Sequence, residues 1–327
     1  MLIKQNISKY KNNPFTNIIR GYHLKTLKGL ENSTKTEIYR KKALTELFLG
    51  NYRTSAEDSR KSLYFANMSE SKNALCKSLA FQSELFYRTS NFEKMSKSLS
   101  KLLKIASTIK DETQLGNCFT QIGLYHWGTG KYLKAIAYYR KALNIHKKVN
   151  NKYSCARTMI NLGAVYNDMK KFEKAIYWFN KALKIAKDMK ERVLISMIFN
   201  NVGFSNAKLK REKKALYYYM RSLRIKKDIG DVFGVGITLN NIGNIYRRKN
   251  DVKNARVYLE YSYGITQKIG DIQGEVIALE NLSSLYKSMG DNDKAINYIT
   301  RALRKAEENS LTYEIGDIKA ILDSLNE

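Results

Sequence analysis

The chain has 327 residues, 43% of them hydrophobic, and a formal net charge of +28 from 58 Lys and Arg against 30 Asp and Glu. It holds no apolar run of about 18 residues, which excludes a membrane-spanning helix, and no signal-peptide core ahead of a small-residue cleavage site. A single proline, Pro14, and the lack of any Ser/Gly-rich stretch exclude a linker-rich chain and point to long helices.

Residues 1–35 form a basic N-terminal segment. No acidic residue precedes Glu31, while Lys4, Lys9, Lys11, Arg20, Lys25 and Lys28 are cationic. Asn and Lys dominate, with one Arg and few Ser, so residues 14–30 read as a partial helix left from a degenerate repeat. An organellar import signal is the alternative, and a cytoplasmic location is the expectation. Cys76, Cys118 and Cys155 follow in separate helices with no CxxC pair, and read as reduced core residues.

From residue 36 the chain keeps a 40-residue beat. Two weaker units carry Ala43, Ser55 and Leu63, then Ser83, Met95 and Leu103. Gly123, Gly163, Gly203 and Gly243 then recur evenly, with Ser283 in the next slot. Twelve residues after each comes an alanine: Ala135, Ala175, Ala215, Ala255 and Ala295. A fixed period of this length is the signature of stacked repeats, each too small to bury its apolar face alone.

Residues 153–188 show the unit. Met159, Leu162, Gly163 and Tyr166 share one helical face, and Lys170–Lys171 interrupt the pattern. Phe172, Ala175, Ile176, Phe179, Ala182, Leu183 and Ile185 form a second face. This is an αα-hairpin. Glycine inside a helix costs about 1 kcal/mol against alanine, so its recurrence implies close approach of the two helices. Gly230–Asp231 and Gly270–Asp271 read as a C-cap glycine followed by an N-cap aspartate, and Asn150–Asn151 as their equivalent.

Leu162, Gly163 and Tyr166, with Ala175, Phe179 and Ala182, resemble the tetratricopeptide repeat pattern. The resemblance implies an all-α, right-handed superhelical solenoid. Seven units starting near 36, 76, 116, 156, 196, 236 and 276 would fill residues 36–311, with a capping helix over 312–327. The unit is longer than the usual 34 residues of the family and lacks its terminal proline. The longer form is similar to repeats of kinesin light chains, Pins-type adaptors and bacterial signalling regulators, all of them protein-binding scaffolds.

One register does not read as packing. Two residues before each repeat glycine stand Gln121, Asn161, Asn201, Asn241 and Asn281, with Asn200 and Asn240 beside them and Asn244 one turn on. Residue 161 points away from the core face of its helix. In the resembling family that face lines the concave groove, and kinesin light chains carry a similar Asn-Asn-Leu pattern. An amide offers a donor and an acceptor together, so it can pair with any peptide unit. Helices about 8–10 Å apart would place amides roughly three extended residues apart. Arg157, Lys208, Arg247, Arg248 and Lys287 would favour an acidic peptide in this groove. Amide–amide bonds between neighbouring repeats, or enrichment of Asn by AT-rich codons, are the competing explanations.

Other chemistry is missing from the sequence. His23, His126 and His146 lack metal-ligand spacing, and His126 stands where other repeats carry a packing Tyr. No phosphate-binding, dinucleotide, zinc-protease or serine-hydrolase motif occurs. A non-catalytic scaffold without cofactor is expected. Pairs such as Tyr138–Tyr139, Trp178–Phe179 and Tyr217–Tyr218–Tyr219 put one ring in the core and leave the others to pack beneath the next repeat. Residues 1–260 hold 51 basic and 19 acidic side chains, against 7 and 11 in 261–327. The basic turns, Lys208, Lys210, Arg211, Lys213 and Lys214 with Arg247, Arg248 and Lys249, leave RNA or another polyanion as the alternative partner. The further alternative is a peptide-responsive regulator acting on a kinase or transcription factor.

Overall fold

Helix after helix of near-equal length fills the computed structural model, which describes residues 29–48, 52–109, 111–309 and 311–326. The helices are α1 Asn32–Phe48, α2 Tyr52–Met68, α3 Lys72–Arg88, α4 Phe92–Ala106, α5 Glu112–Gly128, α6 Tyr132–Lys148, α7 Lys152–Asp168, α8 Phe172–Asp188, α9 Arg192–Lys208, α10 Glu212–Ile229, α11 Val232–Arg248, α12 Val252–Ile269, α13 Ile272–Ser288, α14 Asn292–Glu308 and α15 Thr312–Asn326. The described residues include no strand. Most of the N-terminal segment, with its expected partial helix, lies outside them.

The chain divides into two compact units, residues 1–194 and 195–327. In unit 1 the pairs α1/α2, α3/α4, α5/α6 and α7/α8 pack as hairpins, and each packs on the next pair. In unit 2 α11/α12 and α13/α14 do the same, α10 packs on α11, and α15 packs on α14. Contacts therefore join sequence neighbours, as the all-α solenoid expectation requires. Ile318 and Leu325 of α15 close the last apolar cluster with Ala295, Ile299, Ala302 and Ala306.

The repeat glycines show their purpose in both units. A Cβ on Gly123 would sit 2.7 Å from the Tyr139 ring, and one on Gly203 2.7 Å from the Tyr219 ring. The large side chain four residues after the alanine, Tyr139, Phe179, Tyr219 or Leu259, sits against the repeat glycine, so that side chain, more than the alanine, sets the demand for a bare backbone. Where Ser283 replaces glycine, its hydroxyl donates to the Ala295 carbonyl across the pair at 2.8 Å.

Turns follow the sequence signals. Gly230 and Gly270 adopt φ of 75° and 72°, and the side chains of Asp231 and Asp271 accept from the Gly234 and Gly274 amides that open the next helix. Asn150 takes φ 52° and Asn151 caps Ser154 in the same manner. Cys76, Cys118 and Cys155 are buried thiols, and burial raises each of their pKa values. His126 stacks on Tyr138 at 5.3 Å, in the slot where Tyr246 stacks on Tyr258 and Tyr286 on Tyr298. The aromatic expectation needs one correction. Tyr217 is about half exposed, under the guanidinium of Arg221, and does not pack beneath a following repeat.

Candidate functional site

In unit 2 the amides form a hydrogen-bonded set on one face of the first helices. Asn281 on α13 donates to the Asn240 carbonyl oxygen on α11 at 2.9 Å, and Asn241 donates to that of Asn200 on α9 at 3.4 Å. Each bond runs diagonally, from the residue two before one repeat slot to the residue three before the previous one. Asn200, Asn201, Asn240, Asn241, Asn244 and Asn281 are all half-buried. Amides already bonded to one another remain chemically able to bind a ligand, because each carries two donors and an acceptor with two lone pairs.

A buried cation stands behind the set. Lys226 of α10 is 5% exposed, and its ammonium donates to the Gly234 carbonyl and to Thr238 Oγ1, both at 3.1 Å. The single Thr238 hydroxyl proton is shared between Gly234 O at 2.8 Å and Asn200 Oδ1 at 3.2 Å. Burial lowers the Lys226 pKa, and Asp231 opposes that shift. A chain of polar contacts thus runs from Lys226 through Thr238 and Asn200 to Asn241. It fixes the Asn200 carbonyl inward and turns its amide nitrogen away. Sequence reasoning missed Lys226. The signal was there, since the same register reads Ala66, Ala106, Ala186 and Ala306 elsewhere.

The cations expected around the groove have different surroundings. Lys208 is exposed, with its ammonium 5.3 Å over the Phe204 ring. Arg247 donates to Asn244 Oδ1 at 3.4 Å. Arg248 donates to the Ala207 carbonyl at 3.1 Å and reaches Glu212 at 3.9 Å, which ties two repeats together. Lys287 donates to Ser324 O and Oγ on α15, so it holds the last helix in place. Lys210, Arg211, Lys213, Lys214 and Lys249 are exposed at the turns.

Unit 1 carries the same amide register with different company. Gln121 and Asn161 are half-buried and Arg157 is exposed. Gln121 Oε1 is enclosed without a hydrogen-bond partner among the described residues. Thr120 holds the slot of Asn200, and its hydroxyl donates to the Gly116 carbonyl at 3.0 Å. Behind it His146 occupies the Lys226 register at 1% exposure, with Nε2 3.5 Å from Thr120 Oγ1. Burial pushes the His146 pKa down to about 4, so the ring is neutral near pH 7.

Among the described residues no group of three His, Cys, Asp or Glu is placed to hold a metal ion, and no helix is long and apolar enough to cross a membrane.

Comparison with known proteins places this architecture. Among solved structures, the Rap protein complexed with Competence and Sporulation Factor aligns with TM-score 0.65 at 15% identity, over 90% of this chain and 88% of that one. NprR in complex with its cognate peptide NprX, a protein whose apo form is described as a quorum sensor from B. thuringiensis, aligns at 0.60 with 16% identity, over 88% and 81%. A STAND protein with a tetratricopeptide repeat sensor from Pyrococcus horikoshii aligns at 0.61 with 16% identity, over 88% of this chain and 46% of that one. These identities establish shared fold alone. Curated proteins give no sequence match. The family model for the tetratricopeptide repeat matches residues 113–188, 154–228 and 234–308, more than half of the sequence. The chain therefore belongs to the tetratricopeptide repeat family.

Proposed function

We propose that the chain is a non-catalytic scaffold that binds an extended, acidic peptide segment of a partner protein across the first helices of its repeats. The observation that carries this reading is the half-exposed amide set Asn200, Asn201, Asn240, Asn241 and Asn281, in which Lys226 and Thr238 orient Asn200 and through it Asn241, and Asn281 is bonded to Asn240. Preorganised amides bind a peptide backbone without first losing rotamer freedom. Lys208, Arg247 and Arg248 on the same helices supply the preference for carboxylates. The Rap and NprR structures support the reading, since both are described as complexes with a peptide or signalling factor on a similar fold. A narrower form of the proposal is a peptide-responsive regulator whose output is a partner kinase or transcription factor; the two structures support its peptide-binding part alone.

Affinity capture on the full chain, with mass spectrometry before and after nuclease treatment, tests the proposal. Nuclease-resistant protein partners that are lost from the Asn201→Ala/Asn241→Ala variant are expected. With about 1 kcal/mol per backbone hydrogen bond, the double variant should lose roughly tenfold or more in affinity. Capture of RNA with a steep salt dependence, abolished by neutralising residues 208–214, would replace this reading with the polyanion one.

A further inference from the structure

One turn before each amide of unit 2 stands an exposed apolar side chain. Met197, Ile237 and Ile277 are 42%, 37% and 39% exposed, and each precedes Asn201, Asn241 or Asn281 by four residues. That spacing puts apolar and amide side chains on the same helical face. In unit 1 the matching register holds Asn117 and Arg157, so the apolar row is specific to unit 2 and is not demanded by packing. Toward the other end of the helices, beyond the amides, lie Lys208, Arg247 and Arg248. The face is therefore striped: apolar, then amide, then cationic.

The period of the stripes selects a ligand conformation. Helices α11 and α13 pack directly, and the 2.9 Å bond from Asn281 to Asn240 joins them, so their axes lie about 8–10 Å apart. A β-strand returns a side chain to the same edge every two residues, about 6.8 Å, too short for this step. Three strand residues span about 10 Å but turn the side chain to the opposite face. A polyproline II segment returns to the same edge every three residues, at about 9.3 Å, and leaves its backbone donors and acceptors unpaired for the amides.

Resting on the peptide-scaffold reading, we infer that the ligand of unit 2 is a polyproline II-like segment with aliphatic side chains at every third position, i, i+3 and i+6, seated on Met197, Ile237 and Ile277. Carboxylates fall at an intervening position that faces Lys208, Arg247 and Arg248. Backbone groups between them pair with Asn201, Asn241 and Asn281.

A phage-displayed library of random dodecapeptides, panned on the full chain, tests this. The expected consensus has aliphatic residues three apart. A synthetic consensus peptide should lose roughly tenfold in affinity or more on Ile237→Ser, as expected for one withdrawn apolar contact, with no change in thermal unfolding. Moving one aliphatic residue by a single position should cost a similar factor. Selected peptides that depend on Asn201 and Asn241 but show a two-residue period, no period, or indifference to Ile237→Ser would overturn the inference and leave the scaffold reading standing. Selected peptides indifferent to the Asn201→Ala/Asn241→Ala variant, or no selected peptide at all, would remove both.

Discussion

Units 1 and 2 share their packing registers and differ on their first-helix face. A Cβ on Gly123 would come within 2.7 Å of the Tyr139 ring, and one on Gly203 within the same 2.7 Å of the Tyr219 ring. One turn away the chemistry diverges. Unit 2 backs its amides with a buried lysine whose contacts are satisfied, and edges them with Met197, Ile237 and Ile277. In unit 1 the amide Gln121 and the buried His146 each have a ring or carbonyl atom without a partner, and the edge is Asn117 and Arg157. The lesson is that stacking constrains the side of each helix that touches its own hairpin, and leaves the other side free to acquire a ligand chemistry.

The largest effect that would sharpen this contrast is the acid sensitivity that the buried His146 gives unit 1. The folded-state pKa of His146 is held near 4, while the unfolded ring titrates near 6.5. The unfolded chain then binds the extra proton first, so stability falls as pH drops through 6.5 toward 4, by roughly 3 kcal/mol. Urea unfolding at pH 7 and pH 4.5 should show this loss in the wild type and a much smaller one in His146→Leu. An equal loss in both would show that the buried ring is not the source.

Next in size is a test of the shared packing. Gly123→Ala and Gly203→Ala should each destabilise by about 1–3 kcal/mol, the cost of overpacking less the helix-propensity gain. Thermal unfolding that found one site tolerant would break the claim that both units obey one packing rule.

The smallest effect separates the amides. Asn240→Ala removes the acceptor of the Asn281 bond and should cost about 1 kcal/mol. The slot diagonal to Asn161 is Thr120, whose hydroxyl already donates to Gly116, so Asn161→Ala should cost only a few tenths. Matched denaturant titrations would show whether the two differ.

Much of the fold was legible because periodicity is a property of sequence. The repeat glycines and the Gly230–Asp231 and Gly270–Asp271 caps could be read from residue types. The amide column was legible too, as a break in the apolar pattern. Lys226 was not read, since a lysine in a charged stretch looks solvated until the Ala66, Ala106, Ala186 and Ala306 register shows that its slot is interior. The apolar row was likewise invisible, because Met197, Ile237 and Ile277 look like core residues in any helical count.

By itself the sequence determined the all-α repeat, its hairpin unit and the residues that cap its helices, because those follow from nearest-neighbour stacking and local backbone preference. Only the tertiary structure decided which amides bond to one another, which cations are tied down, as Lys287 is on α15 and Arg248 on Ala207, and which apolar side chains stay in water. Those outcomes depend on contacts between residues about 40 apart along the chain, set by how one repeat seats on the next. The register of a single helix does not carry that information.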